Sequence, residues 1–330
     1  MFPVERALLI INRAAGTGQG ESVTSELALL FKQGLEGLSD VQIELVSDHA
    51  AARACAAQFV SESDGQALIV AGGGGGTLRA VIEGVFKSAG RVRVGALRMG
   101  SGNVLARQFG VPRDPVRGLQ GLLTNLKAGQ IVPCCVMRCE TSTSLGESEV
   151  HHAVTLGGLG QFGRIPSDLA LWHARFPFLH ESAARALGIE KLTNIEYALA
   201  FLIRSISCML FPEKAELVEI QFQGHAERLR LLSGVVMNFP IKALPFTPGV
   251  TVDDEALAAY LIPLDLRVRR HRIEKNQRLE IRLLDRECVE LFLDEDPVTT
   301  CRRLSIEVAG SIAFVPGPDY APVGGGGNSK

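Results

Sequence analysis

The sequence predicts two domains of different class: an α/β domain with a parallel sheet, then a mostly antiparallel β-sandwich. Three observations lead there. The chain has 330 residues, long for a single core. Up to about residue 130 short apolar strands alternate with helical patterns. Beyond that point turn-separated strands dominate.

The first elements follow one rule. Ala7–Asn12 is an apolar strand leading into the turn Ala14–Gly20, and Glu26–Leu35 carries Leu27, Leu30, Phe31 and Leu35 at helical spacing. Gln42–Val46 is a strand, and Asp48 is placed to cap the Ala-rich helix Ala50–Ser61. The fully apolar strand Ala67–Ala71 runs into Gly72–Gly76 and the helix Leu78–Phe86. Strand Val92–Leu97, another glycine turn and helix Asn103–Phe109 complete the series. Strands apolar on both faces call for a sheet covered on both sides.

The second domain is expected over 131–315. Its strands are read at Ile131–Cys139, Val150–Leu156, Glu216–Phe222, Arg230–Asn238, Ala256–Ile262, Leu279–Leu284, Cys288–Leu293 and Leu304–Phe314, with a helical insertion near 166–211. Pro316–Lys330, rich in Pro and Gly, is expected to be a disordered tail.

Composition narrows the function classes. A net charge of −2 gives no general attraction to nucleic acid. Glu5 and Arg6 interrupt the N-terminal apolar run, which does not read as a signal peptide. The most apolar later stretch, Ile195–Phe211, carries Glu196 and Arg204 and falls short of a ~20-residue span. The expectation is a cytoplasmic protein, peripheral to the membrane at most. Seven cysteines are scattered without CxxC spacing; Cys134, Cys135 and Cys139 come nearest to a cluster and read as buried thiols rather than a metal site, and a reducing compartment fits best.

Three glycine clusters each follow a strand and precede a helix: Gly16-Thr17-Gly18, Gly72–Gly76 with Thr77, and Gly100-Ser101-Gly102-Asn103. In an open α/β sheet such turns emerge at the carboxyl edge of the strands, where ligands bind. Glycine admits close backbone approach, and the following helix offers unpaired N–H groups and partial positive charge. A phosphate cradle follows, although neither a P-loop nor GxGxxG is present. Its candidate residues are Asn12, Gly16, Gly73, Gly74, Gly75, Gly76, Thr77, Gly100, Ser101, Gly102 and Asn103. Thr77 caps its helix or touches phosphate, and Asn103 caps its helix or holds the loop. Arg98 and Arg107 are either phosphate contacts or solvated cations.

The motifs carry a family resemblance. Leu9–Gly16, LIINRAAG, resembles the NPxSG turn of the diacylglycerol kinase-like lipid kinases, and Val70–Leu78, VAGGGGGTL, resembles their GGDGT loop. Leu97–Pro112, LRMGSGNVLARQFGVP, is similar to their GTGNDxAR segment. Weaker likenesses follow in order: Gly157–Gly160, Val236–Asn238, Pro248–Asp254 and Leu293–Asp296, the last at the place of a DGE turn. The resemblance implies a first domain like that of NAD kinase and phosphofructokinase, with ATP and substrate held between it and the sandwich. It further implies transfer of the γ-phosphoryl of ATP to a lipid hydroxyl with Mg²⁺. Asp294 and Asp296 fall on acidic positions of the family and are candidates for catalysis and for holding the metal.

One departure counts against full activity. Where the family loop has Asp, this chain has Gly75, which offers neither a metal ligand nor a base. Either the protein is a degenerate relative that binds nucleotide or lipid, or Asp294–Asp296 have taken over; a kinase of soluble substrates akin to NAD kinase is the third reading. The basic run Arg267, Arg269, Arg270 and Arg272 reads as an anionic membrane contact, or else as a solvated loop or a charge-guarded edge strand. Trp172, Phe176, Phe178 and Leu179 read as core rather than as an acyl-chain site. A homodimer is left open.

Overall fold

In the computed structural model, residues 4–15, 21–38, 40–62, 65–86, 91–100, 103–175, 193–239, 249–251, 254–294 and 296–321 are described. The chain divides into two compact units, one of Met1–Val136, Thr251–Asp254 and Gly310–Lys330, the other of Met137–Val250 and Glu255–Ala309.

The first unit alternates strand and helix. Its elements are β1 (Arg6–Asn12), α1 (Glu21–Gly34), β2 (Asp40–Val46), α2 (His49–Ser61), β3 (Ala67–Gly73), α3 (Gly75–Val85), β4 (Val92–Arg98), α4 (Val104–Gln108) and α5 (Pro115–Lys127). All pairings are parallel: β2 lies beside β1, β1 beside β3, and β3 beside β4. The end of the last strand, β15 (Arg303–Phe314), adds Ala313 and Phe314 beside Arg93 and Val94 of β4, again parallel. Every residue of β3 is buried, as are six of the seven in β1, as a doubly covered sheet requires. Leu9, Ile11, Leu68 and Val70 meet Leu27 and Phe31 of α1 in one core cluster. Asp48 caps α2 as expected, accepting a 2.8 Å bond from the Ala51 N–H, and this bond chiefly lowers its pKa.

Helix α5 was not among the expected elements, although its signals are present. Asp114 accepts from the N–H groups of Val116 and Arg117, Pro115 occupies the first turn, and Leu119, Leu122, Leu123 and Leu126 bury one face.

The second unit contains β5 (Val132–Ser142, which begins in the first), β6 (Ser148–Ala153), β7 (Leu156–Leu159), the short α6 (Gly160–Gly163), α7 (Ile165–Arg175) and α8 (Thr193–Leu210). Then come β8 (Glu216–Phe222), β9 (His225–Met237), β10 (Ala256–Pro263), β11 (Arg269–Glu274), β12 (Arg278–Leu283), β13 (Cys288–Leu293) and β14 (Asp296–Cys301). Adjacent strands run β14-β13-β7-β9-β8-β12-β15, with β10 beside β9, β11 beside β10, and β6 beside β5. The register is antiparallel at the pairs β13–β14, β7–β13, β7–β9, β8–β9, β8–β12 and β12–β15. The expected α/β unit and the antiparallel region are both present.

Several details differ from the sequence reading. The strand expected at Val150–Leu156 is split into β6 and β7 around Val154-Thr155, and β14 was missed because Pro297 reads as a breaker. Arg269, Arg270 and Arg272 of the basic run lie in β11, a strand paired only with β10 among the described strands, as the edge-strand reading expects, while Arg267 precedes it. Arg269 there makes a bidentate bond to Glu227, and Arg272 donates to the Gly249 carbonyl. Trp172 is 41% exposed, not core; Phe176, Phe178 and Leu179 lie outside the described residues. The beginning of the expected disordered tail is docked. Gly317 N–H donates to Phe109 at 2.8 Å, Asn125 donates to the Pro316 carbonyl at 3.0 Å, and Asp319 pairs with Arg117, while 322–330 lie outside the described residues.

Cys288 and Cys301 stand directly opposite each other on β13 and β14 and are joined by a disulfide. The reading of Cys134, Cys135 and Cys139 as buried thiols holds, while the contact of the Cys288–Cys301 pair arises only from strand register. The bond removes cysteine spacing as an argument for a reducing compartment. Reduction, or Cys301→Ser, is expected to cost about 2–4 kcal/mol of stability by freeing the hairpin in the unfolded chain. Thermal melts with and without reductant check this; identical melts would contradict it.

Candidate functional site

The first unit brings two of the three glycine turns together at the carboxyl ends of β3 and β4. Met99 and Gly100 N–H groups both donate to the Gly73 carbonyl, at 3.0 and 3.2 Å. A Cβ added at Gly100 would lie 2.6 Å from the Gly74 Cα and 3.1 Å from its nitrogen, so no side chain fits there without moving backbone. Gly74 is the N-cap of α3, with extended backbone and no side-chain cap bond. The N-terminal amides of α3 are thus left to a partner other than a capping side chain. A narrow pocket beside this turn is lined by Gly73, Gly74, Gly75, Leu97, Asn103 and Ala106, among others.

Asn12 ties the end of β1 to the start of α3. Its Nδ2 donates to the Thr77 hydroxyl at 3.0 Å, and its Oδ1 accepts from the Ala14 N–H at 3.0 Å. Both side chains are buried, so the Thr77 hydroxyl serves this link. Asn103 sits in the left-handed region at φ 51° and donates to the Gly100 carbonyl, with no side-chain cap bond to α4; it holds the loop. Gly16, Ser101 and Gly102 lie outside the described residues.

Gly75 opens α3, and a Cβ placed on it meets nothing within 4 Å. A side chain therefore has open space to begin in at this position. Arginines stand near this edge. Burial lowers the Arg98 pKa first, and repulsion from Arg107 and Arg113 lowers it further, so three guanidinium groups share one region. Arg98 donates to the Val111 carbonyl at 3.3 Å and leaves its Nε buried without a partner; Arg107 is exposed. Such a cluster favours a polyanion. Arg113 was missed by the sequence reading, since only the turn after α4 brings it near Arg98.

In the second unit Asp294 has a specific structural task. It adopts φ 50° in the β13–β14 turn, and its carboxylate is buried. Oδ2 accepts from Val154 N–H at 2.6 Å, and Oδ1 accepts from Thr155 and Leu156 at 2.8 and 2.9 Å. The carboxylate therefore supplies acceptors for the three amides at the break between β6 and β7. Asn238, on the neighbouring strand end, donates to the Val154 carbonyl at 2.9 Å. Asp296 begins β14 opposite Leu293. Glu295 and Asp253 lie outside the described residues, and among the described ones no group of three His, Cys, Asp or Glu side chains converges as a metal site.

A parallel α/β unit with glycine turns at its carboxyl edge is followed by an antiparallel unit, and in open α/β sheets ligands bind at that edge. Residues 6–139 match the family model of the diacylglycerol kinase catalytic domain. The solved structure of a diacylglycerol kinase from Bacillus anthracis strain Sterne is similar with a TM-score of 0.62 at 17% identity, over 96% of this chain and 99% of that one. A second structure from the same strain gives a TM-score of 0.65 at 17% identity, over 96% and 99% of the two chains. At such identity the likeness establishes the fold. No curated protein matches the sequence.

Two outcomes are expected from these contacts. Gly100→Ala forces the two turns apart and lowers the melting temperature; an unchanged melt would contradict the close approach. Asp294→Ala strands three amides and costs about 3 kcal/mol or more, lowering the melting temperature by several degrees. An unaltered melt would remove the anchoring role.

Proposed function

We propose that this protein phosphorylates a lipid hydroxyl, of a diacylglycerol, a sphingoid base or a related alcohol, with ATP as donor. One observation carries the reading: Gly73, Gly74 and Gly100 pack backbone against backbone at the sheet edge of the region that matches the diacylglycerol kinase catalytic domain model. The residues suit the phosphates of ATP. The first-turn amides of α3 lack a side-chain cap, the space over Gly75 is open, and Arg98, Arg107 and Arg113 supply positive charge. Gly16, Gly76, Ser101 and Gly102 extend the cradle in this proposal, and Asn12, Thr77 and Asn103 fix its shape.

Mg²⁺ fits as a companion of the nucleotide rather than as a resident ion. It is commonly held by one or two carboxylates together with substrate phosphates, and it would supply charge neutralisation on the transferring group. Asp296 is the carboxylate this proposal assigns to metal and catalysis. Asp294 holds the turn that presents it, because its own oxygens already serve three amides.

Gly75 favours a second reading, a relative that binds nucleotide or lipid without turnover. Loss of a general base costs on the order of 10²–10⁴ in rate. Melting with ATP and Mg²⁺, followed by phosphate transfer to a panel of lipids, separates the readings. The expected result is a stabilising shift together with a phosphorylated lipid. A shift without transfer to any lipid would leave the second reading, and no shift would sink both. Gly75→Asp is expected to raise turnover, since the added side chain meets open space. No gain would mean that another carboxylate already fills the role.

A further inference from the structure

The disulfide closes a hairpin that the sheet supports at one end only. Among the described strands, β14 pairs with β13 and with no other. β13 in turn meets β7 only at Phe292 and Leu293, close to the turn, so Cys288–Leu291 have β14 as their sole described strand neighbour. The turn end is fastened by Asp294, whose carboxylate takes three amides. The open end is fastened by the bond between Cys288 and Cys301. Beyond these, the Ser142 N–H reaches the Thr300 hydroxyl at 3.4 Å, and α7 packs against β14.

Two features beside the disulfide favour motion once it opens. Arg302 follows Cys301 at φ 67°, a conformation its Cβ disfavours. It is held there by its N–H bond to the Glu287 carbonyl and by the Leu283 N–H bond to its own carbonyl, at 3.0 and 2.8 Å. The second feature is a cavity of about 20 Å³, lined by Glu216, Val289, Glu290, Leu291, Thr300 and Leu304, among others. Glu290 Oε1 is buried without a hydrogen-bond partner. Glu216, 2% exposed, faces the Arg164 guanidinium at 3.1 Å with neither oxygen satisfied by a hydrogen bond. Water admitted to such oxygens lowers the cost of their burial, so a loosened hairpin gains hydration.

We propose that Cys288–Cys301 is a reversible redox latch on β14: reduction releases the strand at its Cys301 end, and oxidation fastens it again. Cys301 is 3% exposed and Cys288 is part-exposed, so the attack falls on Cys288. A thiolate of a dithiol reductant bonds to Cys288 Sγ, and the S–S electron pair departs on Cys301 Sγ. The second thiolate of the reductant then displaces Cys288 from the mixed disulfide and closes the reductant's own disulfide. Two electrons pass to the cysteine pair, whose thiolates take protons from water. A small disulfide oxidant runs the same steps in reverse. Asp294 holds the turn throughout, and with it the register that sets Cys288 opposite Cys301, so the same two sulfurs meet again. The effect on phosphate transfer rests on the proposed role of Asp296, the first residue of β14. Oxidised protein is the active form, because β14 is then held at both ends.

Hydrogen exchange on the full chain, oxidised and after dithiothreitol, tests the latch, with mass spectrometry counting thiols. Reduction is expected to open the bond and to speed exchange over residues 296–303 about tenfold or more, with β1, β3 and β4 unchanged. Oxidised glutathione is expected to restore both the bond and the slow exchange. Cys288→Ser with Cys301→Ser is expected to exchange like the reduced protein and to ignore the reductant; should that variant not fold, reduced wild type carries the comparison. A bond that resists the dithiol in the folded protein, equal exchange in the two states, or a change that reoxidation does not reverse would each overturn the proposal. Transfer to a short-chain soluble lipid reads the site separately, and reduction is expected to slow it several-fold in the wild type but not in the double variant. Faster exchange with unaltered transfer would reject control of the site. No transfer in either state would sink the kinase reading, while the latch stands or falls by exchange.

Discussion

The first unit depends on how closely two turns can approach. Gly100 and Gly74 touch through backbone, while the Gly73 carbonyl takes two N–H groups from the opposite turn. This contact sets the ends of β3 and β4 at one level and leaves the start of α3 uncapped by a side chain. A side chain at Gly100 would separate the strands' exits. The Asn12–Thr77 bond fastens the third strand end to the same helix, so three neighbouring strands terminate on one edge. Backbone donors gathered there suit a polyanion, and the nearby guanidinium groups add charge to that geometry.

The second unit shows how a carboxylate can be read two ways. By its place among the motifs Asp294 reads as a catalytic acid, yet its oxygens are bonded to three consecutive amides of another chain segment. Those amides belong to a break between two strands, where no ladder partner satisfies them. A buried break of this kind needs an acceptor, and an ionised one is strongest. The anchor and the disulfide lie at opposite ends of the β13–β14 hairpin.

The basic run and the apolar helix are each explained by what their elements pack against. The arginines of β11 are partly consumed by Glu227 and by backbone, as suits the guarding of a sheet edge. On α8 the inner face is fastened by Cys208 and the Arg204–Asp168 pair, and the hydrophobic residues of its other face are exposed.

The sequence by itself determined the order of strands and helices in the first unit as far as α4, the glycine turns after β3 and β4, the Asp48 cap and the antiparallel character of the rest. Those features are local: periodicity, turn chemistry and capping act within a few residues. Gly75 was legible as a missing carboxylate for the same reason. Tertiary structure alone decided that Thr77 serves Asn12, that Arg113 stands near Arg98, that Asp294 serves Val154–Leu156, and that Cys288 faces Cys301. Each joins residues brought together by strand order or register, which a single local pattern does not encode. It also decided which face of α8 is buried, because an apolar stripe reads the same whether it meets a core or solvent.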